Sequence, residues 1–271
     1  MNQTIIRPSY LSQYPDCARR TAARIFWPLV TDAGFRLNRT KPNIGAATGT
    51  ATHKVAAVTL KAKMKTGELA NGAEAEQAGL ESLDQEIASG VSWDATSPNL
   101  NTAQKQVVRQ SRVYRKAVAA KIMPSAVEER LEAVHHASGF LVSGQQDVVV
   151  TSEAEFRDLK TGVNRWPNAA QYGAYAMLLK AHGTPVLRII EDYVRRTRAK
   201  DAQPDPEEIK YDVEKSMAVA STLLVRIRQD LDTYIDSGEP ELAFIANRNS
   251  ILCGAKFCLA WQTDWCPESR L

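Results

Sequence analysis

The chain has 271 residues, 44% hydrophobic and 24% charged, a balance that excludes a disordered or fibrous class and supplies ample material for a large core. Its 34 basic and 31 acidic side chains leave a formal charge of +3, so any affinity for nucleic acid must come from local clusters of Lys and Arg. No apolar run reaches membrane-spanning length and the first seven residues lack the layout of a secretory signal, so no membrane partner and a cytoplasmic location are expected.

Ser9 or Ser12 caps a first helix that runs through Ala22, Ala23, Ile25 and Phe26 until Pro28 limits it, with Cys17 within or just beyond its first segment. A loop over 31–48 carries Arg36, Arg39 and Lys41, with Lys54 slightly beyond. The next helix begins near 48–50 and puts His53 on its first turn, where free backbone N–H groups can also meet a phosphate. Taken alone, a histidine at a helix start is more often a cap or solvent contact than a ligand. Residues 66–89 read as a further helix whose Glu74, Glu76, Glu81, Asp84 and Glu86 form a solvated face.

After a turn-rich break over 91–101, Thr102 caps a helix over 103–122 with Val107, Tyr114, Val118 and Ile122 on one side. Its other side holds Lys105, Arg109, Arg112, Arg115, Lys116 and Lys121 with no acidic residue. Such a face is either simply solvated or a track for a phosphate backbone. A first strand spans 127–134, with Glu129 and Glu132, and ends at a turn bearing His135 and His136.

Two apolar runs, 141–150 and 155–159, joined by Thr151-Ser152-Glu153, predict a hairpin. Period-two geometry puts Asp158 and Lys160 on one face of the second strand, and Asp147 near them across the sheet would bring two carboxylates and an ammonium together. Carboxylates are the hard ligands that Mg2+ or Mn2+ prefers, and a nearby lysine orients water or stabilises developing charge at phosphorus. An isolated Asp-x-Lys is nonetheless usually a surface feature of an edge strand.

A loop over 161–167 leads to a helix over 168–180 with Gln171 and Tyr175 one turn apart. A strand follows over 186–194, ending in a second basic patch of Arg195, Arg196 and Arg198. Pro204-Asp205-Pro206 marks a linker and a helix start, and Met217, Ala220, Leu224, Ile227, Leu231 and Tyr234 keep a three-four rhythm along a long amphipathic helix. The tail over 244–267 interleaves Cys253, Cys258 and Cys266 with Phe257, Trp261 and Trp265. Together with the remote Cys17 these could clasp the two chain ends in a four-thiolate site for zinc or an iron–sulfur cluster, reduced thiols being the cytosolic expectation. The plainer reading is four unconnected buried cysteines. The chain divides into a helical region (1–122), a sheet-bearing core (123–198) and a long helix with a cysteine-rich closure (199–271).

Asp147, Asp158-Leu159-Lys160-Thr161-Gly162 and Gln171-x-x-x-Tyr175 together resemble the core of the PD-(D/E)XK nucleases, most nearly the RecB-like branch with the AddB nuclease domain, CRISPR-associated adaptation nucleases and phage exonucleases. Gly144, three positions before Asp147, Gly49-x-x-x-His53, and the set Cys17, Cys253, Cys258 and Cys266 are similar to further marks of that branch. The last three cysteines are spaced more widely here than is usual in the family. The resemblance implies an α/β, restriction-endonuclease-like core: a central mixed β-sheet flanked by helices, with an added helical region and a C-terminal iron–sulfur closure. It implies a DNA exonuclease in which His53, Asp147, Asp158 and the Leu159 carbonyl hold Mg2+ or Mn2+. Lys160 would position water, with Gln171 and Tyr175 contacting DNA or steadying Lys160, and Arg109, Arg112, Arg115 and Lys116 would follow the DNA backbone. A 4Fe-4S cluster, alternatively Zn2+, would join the ends. Phage origin, hence a host cytoplasm, and work in recombination or repair beside a single-strand annealing protein are extensions of the same resemblance, and the site could be enclosed by a homo-oligomeric ring or by a tunnel in one chain. Two rivals are a nucleic-acid-binding module with a decayed site and a zinc-stapled structural protein without nuclease activity.

Overall fold

The computed structural model describes residues 4–270, in which six strands form one mixed sheet: β1 (Ile5–Ile6), β2 (Ala126–His135), β3 (Phe140–Val150), β4 (Glu155–Gly162), β5 (Arg188–Arg195) and β6 (Glu207–Tyr211). β2 covers one edge of β3 along its whole length, antiparallel, from Ala126↔Val149 to His135↔Phe140. The other edge is shared: β1 pairs in parallel with Leu141 and Val142, and β4 pairs antiparallel with Val148, Val149 and Val150 only. β4 then leaves β3 and runs parallel to β5, from Glu155↔Arg188 to Gly162↔Arg195, while β6 closes the far edge. Arg157 ties β4 to β5 below the surface, its guanidinium donating to both Asp192 oxygens at 2.9 and 2.6 Å and to Glu155 at 2.8 Å. Removing one partner from a buried pair of this kind costs about 3–5 kcal/mol.

The helices are α1 (Pro8–Leu11), α2 (Ala18–Ile25), α3 (Trp27–Asp32), α4 (Ile44–Thr66), α5 (Gly72–Ala88), α6 (Leu100–Tyr114), α7 (Ala169–Ala181), α8 (Val213–Ser237) and α9 (Pro240–Ala243). The larger core packs Phe140, Val149 and Phe156 of the sheet with Tyr172 of α7, Leu224 of α8 and residues from both chain ends, Ile6 to Trp265. On the opposite face Val148, Leu159 and Val194 meet Leu60 of α4 and Tyr114 of α6. A third, small core of Ala47, Ala51 and Val55 with Leu83 and Val107 joins α4, α5 and α6. α8 buries the predicted stripe Ala220, Leu224, Ile227, Leu231 and Tyr234, each large member contributing about 1.5–3 kcal/mol.

Side-chain alternation reverses in the middle of the β2–β3 pair. Val127 and Leu131 have the same parity, as do Val142 and Val148, yet the members of each pair lie in opposite cores. The reversal falls at Glu128, whose φ of 53° is left-handed and which stands opposite Asp147 between the pairs Val127↔Val148 and Glu129↔Gln146. A non-glycine residue there costs about 1–3 kcal/mol, a cost placed beside the two aspartates.

Several boundaries differ from the sequence reading, for local reasons. The first helix is three pieces: Cys17, extended at φ −157°, is the N-cap of α2, and Pro28 opens α3, where its missing N–H is no loss. α4 begins at Ile44 because Asn43 caps it, its Oδ1 accepting from Gly45 N at 2.7 Å. His53 therefore lies in the third turn, not the first, and away from the free N–H groups of the helix start. The segment 66–89 is interrupted by Gly67 at φ 83°, and α5 starts only after Asn71. Asn99, not Thr102, caps α6, which ends in a π turn at Arg115–Ala119. Pro204 and Pro206 lead into the edge strand β6 rather than a helix, and the two-residue β1 is too short for alternation to reveal. Among the described residues no helix is long and apolar enough to cross a membrane.

α7 and α8 cross at Gly173, where an added Cβ would stand 1.9 Å from the Ser216 carbonyl oxygen. Backbone cannot yield as a side chain can, so Gly173→Ala is expected to cost about 3 kcal/mol or to prevent folding. The urea midpoint of the purified variant measures this, and an unchanged midpoint would contradict so close a helix contact.

Candidate active site

The site lies where β4 parts from β3. Their ladder stops at Val148↔Arg157, so Asp147 and Asp158, the next pair in register, stand at the mouth of the fork. In place of the lost ladder bond, Asp147 Oδ2 accepts from Leu159 N at 2.8 Å. Leu159 packs with the α4 side of the sheet while Phe156 packs with the α7 side, so alternation turns Asp158 and Lys160 toward α7. Lys160 Nζ lies 2.5 Å from Asp158 Oδ2 and 5.5 Å from the centre of the Tyr172 ring. From the other side α4 brings His53, whose Nδ1 is 3.2 Å from Asp147 Oδ2. His53, Asp147, Asp158 and Lys160, drawn from a helix and two strands far apart in the sequence, thus meet at one point of the fold.

Their charges do not balance evenly. Burial pulls the His53 imidazole down, but the Asp147 carboxylate more than offsets it and the net shift is upward. Burial raises Asp147, and His53 with Lys160 and the Leu159 N–H bring it below its usual value. Lys160, desolvated by burial, is held in its ammonium form chiefly by Asp158 and then by Asp147, and its pKa rises. Asp158 is the exception: burial, with Asp147 adding repulsion, pushes it up to about 6 despite Lys160. Its buried Oδ2 has the Lys160 ammonium at 2.5 Å as its partner.

Gln171 and Tyr175 face this region from α7. Both are buried, at 8% and 7% exposure, and Tyr175 packs so closely on β3 that a Cβ on Gly144 would come within 2.6 Å of its ring. Across the site, Gly49 of α4 approaches Thr161, whose Oγ1 would be 2.8 Å from an added Cβ. Three neighbours escaped the sequence reading. Glu128 lies at the fork beside His53 and Asp147, with its Oε2 accepting from Lys61 at 3.0 Å; register against Asp147 could have found it. Glu191, fully buried and opposite Asp158 in register, accepts from the Tyr172 and Tyr211 hydroxyls at 2.6 and 3.0 Å. No spacing in the sequence singles out Glu191 or Tyr172, because the β5 register is set only by folding.

The basic face of α6 is largely consumed within the fold. Arg109 donates to carbonyl oxygens of Thr197, Arg198 and Asp201, Arg112 forms a two-pronged pair with Glu76, and Arg115 bonds Thr59 Oγ1 and the Ala70 carbonyl. Of the track expected of Arg109, Arg112, Arg115 and Lys116, only the exposed Lys116 is left, flanked by the exposed Lys105 and Lys121. Guanidiniums that lock loops to a helix have few donors left for a phosphate.

Among the described residues no group of three or more His, Cys, Asp or Glu side chains stands arranged to hold a metal ion, either at the fork or at the cysteines. The fork nonetheless suits a divalent cation on donor chemistry: carboxylate oxygens from Asp147 and Asp158 and an imidazole from His53, with the Asp158 carboxyl raised by burial and by the Asp147 charge beside it. Cys17, Cys253, Cys258 and Cys266 are all free thiols and influence one another electrostatically where the chain ends meet. Cys17 Sγ accepts from the backbone N–H groups of Arg20 and Asn247, each at 3.5 Å. Burial raises the Cys253 and Cys258 thiols, with Cys17 adding to both, and raises Cys266 to about 11. Thiol donors, two N–H groups on one sulfur and the buried Arg20 suit a thiolate-bound group chemically.

No protein-family model matches the chain, and no curated protein matches it. Among solved structures, a candidate exonuclease from Eubacterium rectale aligns over 93% of this chain and 88% of its own at 11% identity, with a TM-score of 0.59. That likeness shows a shared fold. LHK-Exo in complex with dAMP and a phage-related exonuclease from Haemophilus somnus 129PT each align over 72% of this chain and 96% of their own at 13% identity, but with TM-scores of only 0.33 and 0.31, too low to bear on the fold.

A carboxyl raised by folding makes stability fall as pH climbs from its unfolded value, about 3.9, through its folded value. For Asp158 that folded value is about 6. Asp158→Asn, measured in EDTA, should therefore be more stable than the parent protein well above pH 6, by about 3 kcal/mol. The gap should close below about pH 4. Equal melting temperatures across that range would show that Asp158 carries no such penalty.

Proposed function

We propose that this chain is a metal-dependent nuclease that hydrolyses DNA phosphodiester bonds, acting from ends rather than internally. The observation that carries the reading is the convergence of His53, Asp147, Asp158 and Lys160 at the fork of β3 and β4. The fold shared with a candidate exonuclease is in keeping with it, although fold alone assigns no chemistry.

Asp147, Asp158, His53 and the carbonyl of Leu159 would hold Mg2+ or Mn2+. Such an ion, when bound, supplies Lewis-acid polarisation of the phosphate and a water of lowered pKa. Asp147 has its geometry set twice, by the Leu159 N–H and by His53, so its carboxylate cannot swing away from the fork. Lys160 stays an ammonium and so acts as a donor and a charge, not as a base. It orients the attacking water and stabilises the charge that gathers on the phosphoryl oxygens. The Tyr172 ring, 5.5 Å from the Lys160 ammonium, and the Asp158 carboxylate hold it at the fork. At the chain ends we assign the four cysteines to a 4Fe-4S cluster whose role is structural, holding the N-terminal segment of α2 to the tail.

End-labelled linear DNA incubated with Mg2+ or Mn2+ should be shortened, a covalently closed circle should resist, and Lys160→Ala should lose at least about 100-fold in rate. Undiminished cleavage by that variant refutes the assignment. Anaerobically purified protein should be brown, carry iron rather than zinc, and bleach on oxidation, with Cys258→Ser lowering both iron content and melting temperature. Stoichiometric zinc without iron would instead support a zinc staple.

A further inference from the structure

A groove of about 930 Å3 is lined by Trp166, Pro167 and the first turn of α7 to Gln171, by residues 40–43, and by Ile251, Lys256 and Phe257 of the cysteine-rich tail. None of the four fork residues lines it, but it borders two of the helices that build the site. Gln171 lies one helical turn before Tyr175, and Asn43 and Ala46 belong to the start of α4, the helix that carries His53.

The lining is basic where it is accessible. Asp16, its acidic residue, is already bound by Arg20 at 2.6 Å and by the Ser250 hydroxyl at 2.7 Å. Arg24 donates to the Phe257 carbonyl at 3.0 Å. Lys41 and Lys256 are exposed and have no acidic partner among the described residues; Lys256 instead sits 5.4 Å from the centre of the Phe257 ring. Three apolar side chains of its lining are left in solvent, Trp166 at 59%, Ile251 at 73% and Val219 at 44% exposure.

We infer that this groove binds the single-stranded end of a DNA chain, its unpaired bases stacking on Trp166 and Phe257 and its phosphates meeting Lys41 and Lys256. The inference rests on the nuclease reading and adds the form of its substrate. A duplex buries its base faces in its own stack, so an exposed aromatic face such as that of Trp166, with the half-buried Phe257 in the same lining, serves only unpaired bases, and every base offers a face of this kind. Lysines without acidic partners recover free energy by releasing counterions from the backbone. The arginines of α6 are largely engaged within the fold, Arg109 and Arg115 by backbone and side-chain oxygens and Arg112 by Glu76 of α5.

The test is binding of a fluorescent single strand of about 15 nucleotides and of a blunt hairpin duplex to the full chain in EDTA, so that cleavage plays no part. The single strand should bind more tightly than the duplex and quench tryptophan fluorescence. Trp166→Ala should weaken it about tenfold, and Lys41→Gln with Lys256→Gln should lower the slope of log affinity against log salt by about 1.4. These side chains are exposed, so circular dichroism should show an unchanged fold. Binding indifferent to all three substitutions, tighter binding of the duplex, or no binding of either DNA overturns the inference. Cleavage of linear DNA by the parent protein and its loss in Lys160→Ala are scored separately. A chain that cleaves but ignores the groove substitutions leaves the nuclease reading standing without the groove, and one that binds through the groove but never cleaves does the reverse.

Discussion

The hydrogen bond from Leu159 N to Asp147 Oδ2 is the constraint on which the site depends. At a fork in a sheet the backbone loses its ladder partner, and a buried unpaired N–H costs about 1–3 kcal/mol. Asp147 meets that demand with the oxygen that also receives His53. One carboxylate therefore keeps the fork open, satisfies its backbone and joins α4 to the sheet. Asp158 and Lys160 are aligned as a consequence, because β4 beyond the fork is positioned by β5 and by the buried Arg157 network rather than by β3.

The cost of this arrangement is visible in two places. Glu128 takes a left-handed backbone, and Asp158 is ionised only against the penalty of its burial. Strain and an under-compensated carboxylate in adjacent positions are what a fold retains when it must present charge at an unsolvated point. Elsewhere the molecule settles its charges thoroughly: Arg19 donates to the Phe244 and Trp265 carbonyls and pairs with Glu268, and Arg157 is fully engaged. The contrast separates the fork from the structural ion pairs.

The two ends of the chain serve the same site indirectly. β1 takes the first part of the β3 edge, Pro8 of α1 packs near Gly144, and α2 is bonded to the tail through Arg19, Arg20 and Arg24. A closure at the cysteines would hold the tail residues that line the groove as well as the chain ends.

Much was legible in the residues themselves. Period-two alternation in the hairpin and a three-four stripe in α8 are local, and they located the strands β2 to β5 and the helices α7 and α8 to within a few residues. Asp158 and Lys160 share a face because a strand alternates, whatever surrounds it. Helix starts were less legible, since several polar residues could cap and only one does: Asn43, Asn71 and Asn99 took the role. What only the tertiary structure decided is which distant residues meet. The sum of charges on α6 said nothing of the carbonyls and the Glu76 that would claim its arginines, and no pattern in β5 announced Glu191 beneath Lys160. Residue type and spacing determine local geometry and the kind of chemistry on offer; the register of nonlocal strands and the partners of long, flexible side chains are settled by packing, which no short stretch of sequence contains.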